Sequence, residues 1–179
     1  MIKTKRTILD IVNTKEAEML LAYYKENQQH IAPWEPLRDS SYYKLPYWLA
    51  ETEKAHTAYS NGTGYYFVIF DHQRTHIIGV CNFTGVSRGA FQACFLGYSI
   101  AKRYEGLGLM TEALTAAIQY IFNNVGLNRI MANYQPNNTK SAALLLRLGF
   151  EREGYARRYL NIAGQWRDHV LTAKLNDNV

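Results

Sequence analysis

A strand, a glycine turn and a helix follow one another between Leu96 and Tyr120, and this segment constrains the fold more than any other. Apolar residues at its start predict a strand, and Gly106 and Gly108 precede a strongly periodic apolar helix. A helix N-terminus that follows such a turn exposes unpaired backbone N–H groups at the positive end of the helix dipole. The segment therefore predicts an anion site, most often for phosphate.

The composition indicates a single folded domain over residues 1–179. Hydrophobic residues make up 47% and charged residues 20%, which argues against a disordered or a membrane protein. No apolar run approaches the roughly 20 residues of a membrane helix, and the charged N-terminus lacks the apolar core of a secretory signal. We therefore expect a cytoplasmic protein. The net charge of +5 is compatible with an anionic ligand or a ribonucleoprotein partner and proves neither.

Hydrophobic periodicity predicts the element order β-α-α-β-β-β-α-β-α-β-β. This order indicates an α+β fold with a mixed, mainly antiparallel central sheet of about seven strands and helices on both faces. The predicted strands are 7–12, 64–71, 76–86, 89–100, 128–134, 151–160 and 166–175. The predicted helices are 14–28, 45–60, 108–124 and 139–148. Asn13 and Glu16 form a predicted cap pair for the first helix.

The two cysteines, Cys81 and Cys94, fall in neighbouring predicted strands. With a turn at residues 87–88, the two would lie nearly opposite each other. In a reducing compartment we expect two buried thiols rather than a catalytic cysteine. His72 and His76 lie at a predicted hairpin, whereas zinc needs three or four ligands, so no metal site is expected.

Two nucleotide-binding interpretations of the glycine turn fail. A dinucleotide fingerprint needs a third glycine where Thr111 stands, and it follows a parallel strand–helix–strand unit rather than an antiparallel meander. A P-loop needs a Lys-Ser/Thr pair that the turn lacks. What remains is a phosphate turn fed by an antiparallel strand, followed by an Asn-x-x-Ser at 138–141 and a Leu-Gly-Phe at 148–150.

On these motifs the whole chain resembles the GNAT acyl-CoA N-acyltransferases, and most closely the ribosomal-protein alanine N-acetyltransferases of the RimJ type. The stretches that carry the closer resemblance are 32–36, 77–80, 96–100, 106–114, 129–134 and 164–171. The resemblance implies a GNAT fold and transfer of acetyl from acetyl-CoA to the N-terminal alanine of a small-subunit ribosomal protein. It implies direct attack in a ternary complex, without a metal. It makes association with the ribosome a candidate interaction, and it implies neither membrane binding nor direct DNA binding.

The resemblance also implies the donor site. Backbone amides of the glycine turn would bind the pyrophosphate, and the end of the preceding strand would hold the pantetheine arm and donate to the thioester carbonyl. Ser141 would act as the acid for the leaving thiolate, although it is also an ordinary first-turn serine, and Asn138 is also an N-cap. The implied cofactor-binding residues are Tyr98, Ser99, Ile100, Glu105, Gly106, Leu107, Gly108, Leu109, Met110, Thr111, Asn138 and Ser141.

The sequence departs from the family pattern at the turn and at the catalytic pair. Glu105 and Met110 stand where the family often has Arg or Gln and Gly or Ala. Asn133 and Leu145 replace the Glu base and Tyr acid of some ribosomal relatives. The leading candidate base is Glu35, acting directly or through a water, with Asp39 a weaker one. The candidate acceptor-binding residues are Trp34, Glu35, Trp166 and Arg167.

The missing base favours an α-amine over a lysine as acceptor. At pH 7 a lysine amine is only about 0.04% neutral, whereas an α-amine is roughly 10% neutral, a difference of about 3.5 kcal/mol. Two alternatives stay open. One is acetylation of a small amine such as an aminoglycoside or a polyamine, and the other is a non-catalytic, CoA-binding module associated with the ribosome.

Overall fold

The computed structural model describes residues 1–177, which form one eight-stranded sheet with helices on both faces. The strands are β1 (Ile2–Lys3), β2 (Ile8–Ile11), β3 (Tyr65–Phe70), β4 (Ile77–Ser87), β5 (Ala93–Ile100), β6 (Arg129–Met131), β7 (Glu151–Ile162) and β8 (Gln165–Leu175). The helices are α1 (Ala17–Glu26), α2 (Gln28–Ile31), α3 (Leu45–Ser60), α4 (Leu109–Tyr120) and α5 (Thr139–Arg147). Across the sheet the strand order is β1-β2-β3-β4-β5-β6-β8-β7.

The sheet is antiparallel except at one place. Strands β1 to β5 form a meander in which every neighbouring pair is antiparallel. β6 then pairs parallel to β5, and β8 and β7 complete the sheet with antiparallel pairs. The predicted mixed, mainly antiparallel sheet is confirmed. Within residues 1–177 no helix is long and apolar enough to cross a membrane.

Side chains that alternate along β3 divide the core into two layers. Phe67 and Ile69 pack in the layer that also contains α4, whereas Val68 and Phe70 pack with side chains of α1 and α3. All four are at most 2% exposed. Because complete burial of such a side chain contributes roughly 1.5–3 kcal/mol, the alternation fixes which face each helix covers.

Local sequence signals are confirmed where the backbone itself sets the geometry. The second predicted helix has the bounds of α3. The Asn13 side chain accepts from the Lys15 amide, while the Glu16 carboxylate accepts from the Asn13 amide at 3.2 Å. At the end of α5, Gly149 has φ +80° and the Phe150 amide donates to a carbonyl of the last turn. These caps satisfy backbone groups that a helix end leaves unpaired.

Several elements differ from their predictions: the predicted helix 14–28 is divided into a 3-10 turn, α1 and α2, and two strands differ as well. β1 raises the count from about seven strands to eight, and two residues are too few to give a periodic pattern. β6 ends at Met131 rather than near residue 134, because Asn133 turns its side chain to the Thr172 amide and Tyr134 forms only an isolated bridge with β8. Sheet pairing, rather than local propensity, sets these ends.

The predicted pairing of the two cysteines is wrong. Cys81 lies opposite Tyr98, and Cys94 pairs with β6 instead. The turn runs over residues 88–92, and the register shifts between Thr84 and Ser87, so the ladder is displaced from the one that a turn at 87–88 would set. Both thiols are buried and free, as the prediction of buried thiols required.

Gly79 tests how closely β4 approaches β5. A Cβ at Gly79 would lie 2.7 Å from the Ser99 carbonyl oxygen and 3.2 Å from Cε of Met110. Because the backbone oxygen belongs to the ladder, Gly79→Ala should lower the free energy of unfolding by about 1–3 kcal/mol in denaturant titrations. At Gly97 the added Cβ meets nothing within 4 Å, so Gly97→Ala should stay within about 0.5 kcal/mol. Equal stability of the two variants would contradict the close packing.

Candidate active site

A large cavity lies where β5 and β6 part. Within residues 1–177 the two strands pair only from Ala93–Arg129 to Phe95–Met131, so the edge of β5 over residues 96–100 has no strand beside it. The cavity has a volume of about 1320 Å³ and is lined by this edge, the glycine turn, α4 and the start of α5. Since small-molecule pockets are usually about 300–1,000 Å³, the space suits a large ligand or two substrates.

The glycine turn leaves the N-terminus of α4 open toward this cavity. Gly106 and Gly108 both have φ +74°, in the left-handed region that other residues rarely adopt. Gly108 is the N-cap of α4, and without a side chain it caps none of the first N–H groups. Leu109, Met110 and Thr111 line the cavity, so these N–H groups and the helix dipole favour an anion there.

An N-terminal arm, residues 4–6, which the sequence did not reveal, contacts the glycine turn and α4. Arg6 donates from Nη1 to the Leu107 carbonyl at 2.8 Å and from Nε to Glu112 Oε2 at 2.8 Å. Thr4 donates to Glu112 Oε1 at 2.6 Å. Burial opposes ionisation of Glu112, but these hydrogen bonds outweigh it and hold the pKa of Glu112 below its usual value. The carboxylate therefore stays charged and joins the arm to α4.

Glu105, the acidic residue at the start of the turn, does not stand alone. Its carboxylate is 2.6 Å from Lys140 Nζ on α5 and 3.4 Å from His30 Nε2 on α2. All three side chains line the cavity. A cation thus accompanies the charge that phosphates disfavour, and the ion pair links the glycine turn to α5 across the cavity.

Two hydroxyl groups meet at the parting of the strands. The hydroxyls of Tyr98 and Ser141 share a hydrogen bond of 2.6 Å. Burial raises the pKa of Tyr98 to about 12 despite the opposing bond to Ser141, so the phenol remains protonated at neutral pH. Asn138 caps α5 by accepting from the Ser141 amide at 3.1 Å. The cap fixes Ser141 in the first turn of α5, facing β5.

A second hydroxyl pair lies on the opposite face of β5. Ser99 hydrogen-bonds the Tyr23 hydroxyl of α1 at 2.9 Å. Burial raises the pKa of Tyr23 above its ordinary value, more than the Ser99 bond lowers it. The end of β5 is therefore anchored on both faces, by α1 and by α5, while its edge remains open.

The loop of Trp34 and Glu35 forms another wall of the cavity. The Gln135 side chain donates to the Pro33 carbonyl at 3.3 Å, and the Ala163 amide, in the turn between β7 and β8, donates to the Glu35 carbonyl at 2.9 Å. These two bonds fix the loop against the segment after β6 and the β7–β8 hairpin. The predicted acceptor residues Trp34 and Glu35 are therefore brought to the same cavity as the glycine turn.

The two candidate bases of the sequence analysis are both engaged. Glu35 Oε2 accepts from Arg38 Nη2 at 3.1 Å. Asp39 instead caps a short helical turn, accepting from the Ser41 amide at 2.7 Å, and the Ser41 hydrogen bonds keep the pKa of Asp39 below its usual value. Asp39 does not line the cavity, whereas Glu35 does. The catalytic role of Glu35 stays a prediction.

The β7–β8 hairpin places its predicted residues differently. Trp166 is 62% exposed and, like Arg167, is not among the residues that line the cavity. Their part in acceptor binding stays a prediction. His169, two residues further along β8, is only 4% exposed and does line the cavity. Alternation along β8 would have found it, once the pairing of β8 was known.

The residues that the structure describes contain no cluster that suits a metal. Among residues 1–177, no three His, Cys, Asp or Glu side chains lie close enough together to hold a metal ion. The polar groups of the cavity are instead hydroxyls, amides, backbone N–H groups and the Glu105–Lys140 pair. Such a set binds and orients an anionic ligand and donates hydrogen bonds to it.

Comparison with known proteins identifies the family. The acetyltransferase (GNAT) domain model matches residues 6–151, and the chain belongs to this family. It is 50% identical over 170 residues to the [Ribosomal protein uS5]-alanine N-acetyltransferase of Escherichia coli (strain K12), covering 95% of this chain and 88% of that protein. The family and the fold predicted from the sequence are thereby confirmed.

Solved structures agree with this assignment. The ribosomal-protein-S5-alanine acetyltransferase of Vibrio fischeri superimposes with a TM-score of 0.95 at 34% identity, over 99% of this chain and 97% of that one. RimJ of Mycobacterium smegmatis, solved in complex with CoA-disulfide, has a TM-score of 0.89 at 30% identity, over 97% and 83%. The parted sheet and the glycine turn therefore lie in a GNAT acetyltransferase fold.

Glu105 provides a test of the anion site. Glu105→Gln removes a negative charge beside the turn and frees Lys140, so the dissociation constant of CoA should fall about two- to fivefold, as expected for 0.3–1 kcal/mol. Calorimetric titration at low salt measures it, and added salt should reduce the gain. Glu51→Gln, which breaks a similar 2.6 Å pair with Lys54 on α3, should change nothing. Unchanged or weaker binding by Glu105→Gln would contradict phosphate binding next to this carboxylate.

Proposed function

We propose that this chain transfers the acetyl group of acetyl-CoA to the N-terminal α-amine of a ribosomal protein, with alanine as the first residue. The observation that carries the proposal is one continuous cavity that reaches from the glycine turn, past Tyr98 and Ser141, to Trp34 and Glu35. A donor phosphate site and an acceptor wall thus share one space. The 50% identity to an alanine N-acetyltransferase, over 95% of the chain, supports the choice of acceptor.

The donor would lie along the open edge of β5. The N–H groups of Glu105 to Thr111 bind the pyrophosphate, and the backbone of Tyr98 to Ile100 pairs with the pantetheine amides as an added strand would. Capping uses only Oδ1 of Asn138, so its amide nitrogen is left to contact the pantetheine arm. This arrangement directs the thioester toward the Tyr98–Ser141 pair.

Acetyl transfer would then proceed by direct attack in a ternary complex. The neutral amine forms a bond to the thioester carbonyl carbon, the C–S bond breaks, and the amine proton reaches the leaving sulfur. The Ser141 hydroxyl donates to the sulfur while the protonated Tyr98 phenol supports it, which lowers the charge developing on the thiolate. No acyl-enzyme and no metal take part in this scheme.

The acidity of the acceptor group distinguishes an α-amine from a lysine side chain. Neither Asn133 nor Leu145 offers the carboxylate and phenol of some ribosomal relatives, and Asn133 is already hydrogen-bonded to Tyr159 and Thr172. A site of this kind suits an α-amine, because deprotonating a lysine would cost about 3.5 kcal/mol more at pH 7. Since ribosomal proteins are made in the cytoplasm, the proposal includes a cytoplasmic location for the reaction. It also includes the ribosome as a further partner.

The proposed function predicts release of CoA from acetyl-CoA and a peptide that copies the N-terminus of the small-subunit protein uS5. Mass spectrometry should locate one acetyl group on the α-amine. The control is the same peptide with a scrambled terminus. Equal turnover of both peptides, or preference for an aminoglycoside or polyamine, would refute the acceptor. A protein that binds CoA and sediments with ribosomes without any turnover would refute catalysis.

Ser141 provides the test of the hydroxyl pair. Ser141→Ala should lower kcat about 10- to 100-fold, because a donor to the leaving sulfur is lost, with little change in the dissociation constant of CoA. Ser60→Ala removes an exposed α3 hydroxyl that donates only to the His56 carbonyl, and it should match the wild type. An unchanged kcat for Ser141→Ala would remove Ser141 from the mechanism and leave it as a first-turn helix serine.

A further inference from the structure

His169 is a buried histidine that the proposed mechanism does not yet use. It lies on β8 opposite Ala156 of β7 and is 4% exposed. Its ring is 5.5 Å from the Tyr159 ring, at an interplanar angle of 55°. The side chain lines the same cavity as Ser141 and Glu35. A titratable group that is buried in the protein and open to the reaction space is a candidate for proton transfer.

The hydrogen bonding of His169 fixes its tautomer. Nδ1 is 3.1 Å from the Arg167 carbonyl oxygen, and because a carbonyl only accepts, Nδ1 carries the hydrogen. In the neutral ring the lone pair is therefore on Nε2. Within residues 1–177 Nε2 has no hydrogen-bond partner, yet every fully buried side-chain nitrogen and oxygen there has one. Nε2 is thus not sealed in the protein, and the opening that His169 lines is the cavity.

We propose that His169 is the general base of acetyl transfer, and that its Nε2 accepts a proton from the acceptor ammonium directly or through one water. This inference rests on the proposed function and names the base that the sequence left open. The ammonium loses one proton to Nε2, the neutral amine attacks, and its second proton passes to the thiolate. His169 then releases its proton to solvent, so each turnover yields one amide, one CoA thiol and one proton.

The surroundings of His169 suit a base at neutral pH. Burial lowers the pKa of His169 below its ordinary 6.5, and this outweighs the hydrogen bond to the Arg167 carbonyl and the charge of Asp168, which both raise it. At pH 7 the ring is therefore neutral, and it becomes protonated and inactive as the pH falls. Its titratable neighbours are Arg167 and Asp168 on β8 and Tyr159 on β7, and Tyr134 and Glu35 line the same cavity.

The geometry favours His169 over Glu35 as the base. Oε2 of the Glu35 carboxylate accepts two hydrogen bonds from Arg38, at 3.1 and 3.3 Å, so the carboxylate already shares its charge with a guanidinium. His169 instead presents an unshared lone pair with its other nitrogen held in place. Glu35 retains the charge and position to orient the acceptor ammonium in the cavity. The two residues then divide binding and proton transfer between them.

The pH dependence of kcat separates a base from a structural histidine. If His169 is the base, the complex that contains the acceptor as an ammonium ion can react. The kcat of the wild type should then fall only below the pKa of His169, under about 6.5. His169→Asn keeps an amide donor for the Arg167 carbonyl and removes the base. In this variant only complexes that already contain a neutral amine react. The midpoint of the pH profile of kcat should therefore rise to about 7.8, the ordinary pKa of an α-amine. At pH 6.5 only about 5% of such an amine is neutral, so kcat should fall about 10- to 20-fold there.

His56→Asn is the matched control, since His56 is exposed on α3, and it should keep the wild-type profile. His169→Ala opens space beside the acceptor, and added imidazole should restore part of its kcat. Calorimetric CoA binding checks that both His169 variants are folded. A midpoint that does not move in His169→Asn, or no rescue of a folded His169→Ala, overturns the assignment of the base.

The same design distinguishes the inference from the proposed function. The profiles are measured with whichever amine the wild type acetylates. Turnover of a small amine in place of the peptide overturns the proposed acceptor, while the shift of the midpoint still tests His169. A wild type that transfers acetyl to no amine overturns both. Activity toward the peptide with an unmoved midpoint overturns His169 as base and leaves the proposed function intact.

Discussion

The parting of β5 from β6 is the constraint on which the site depends. The two strands are the only parallel pair of the described sheet, and they stay together for three residue pairs before diverging. A strand edge within a sheet is normally paired with its neighbour, so the open edge of β5 presents backbone N–H and C=O groups to any ligand that offers amides. The glycine turn follows that edge directly, and the uncapped α4 places its positive end at the same spot. One interruption of the sheet therefore creates both halves of the proposed donor site.

The elements around this gap hold it open rather than close it. Hydroxyl pairs anchor β5 from both faces, through Tyr23 to α1 and through Ser141 to α5. The N-terminal arm fixes the turn through Arg6, and Lys140 spans from α5 to Glu105. Because none of these contacts occupies the edge itself, the gap is preformed, and little ordering of the protein remains to be done when a ligand binds.

The sequence predicts what is encoded locally. Helix periodicity located α3, and the glycine turn indicated an anion site before any family was considered. What it misses depends on strand register and on distant partners. The wrong pairing of Cys81 with Cys94 came from a turn of five residues and a register shift, which no local pattern records. His169 reaches the cavity only through its place on β8, and the Tyr98–Ser141 pair joins residues 43 positions apart. Long-range packing decides such contacts.

The burial of the two cysteines has a consequence for the redox chemistry of such a site. Acetyl transfer liberates a free thiol, and thiol–disulfide exchange proceeds through a thiolate that must be exposed. Cys81 and Cys94 are completely enclosed, and burial raises the pKa of Cys94 to about 12. Neither side chain supplies an accessible thiolate at neutral pH. In the folded protein neither cysteine therefore offers a CoA thiol a partner for a mixed disulfide.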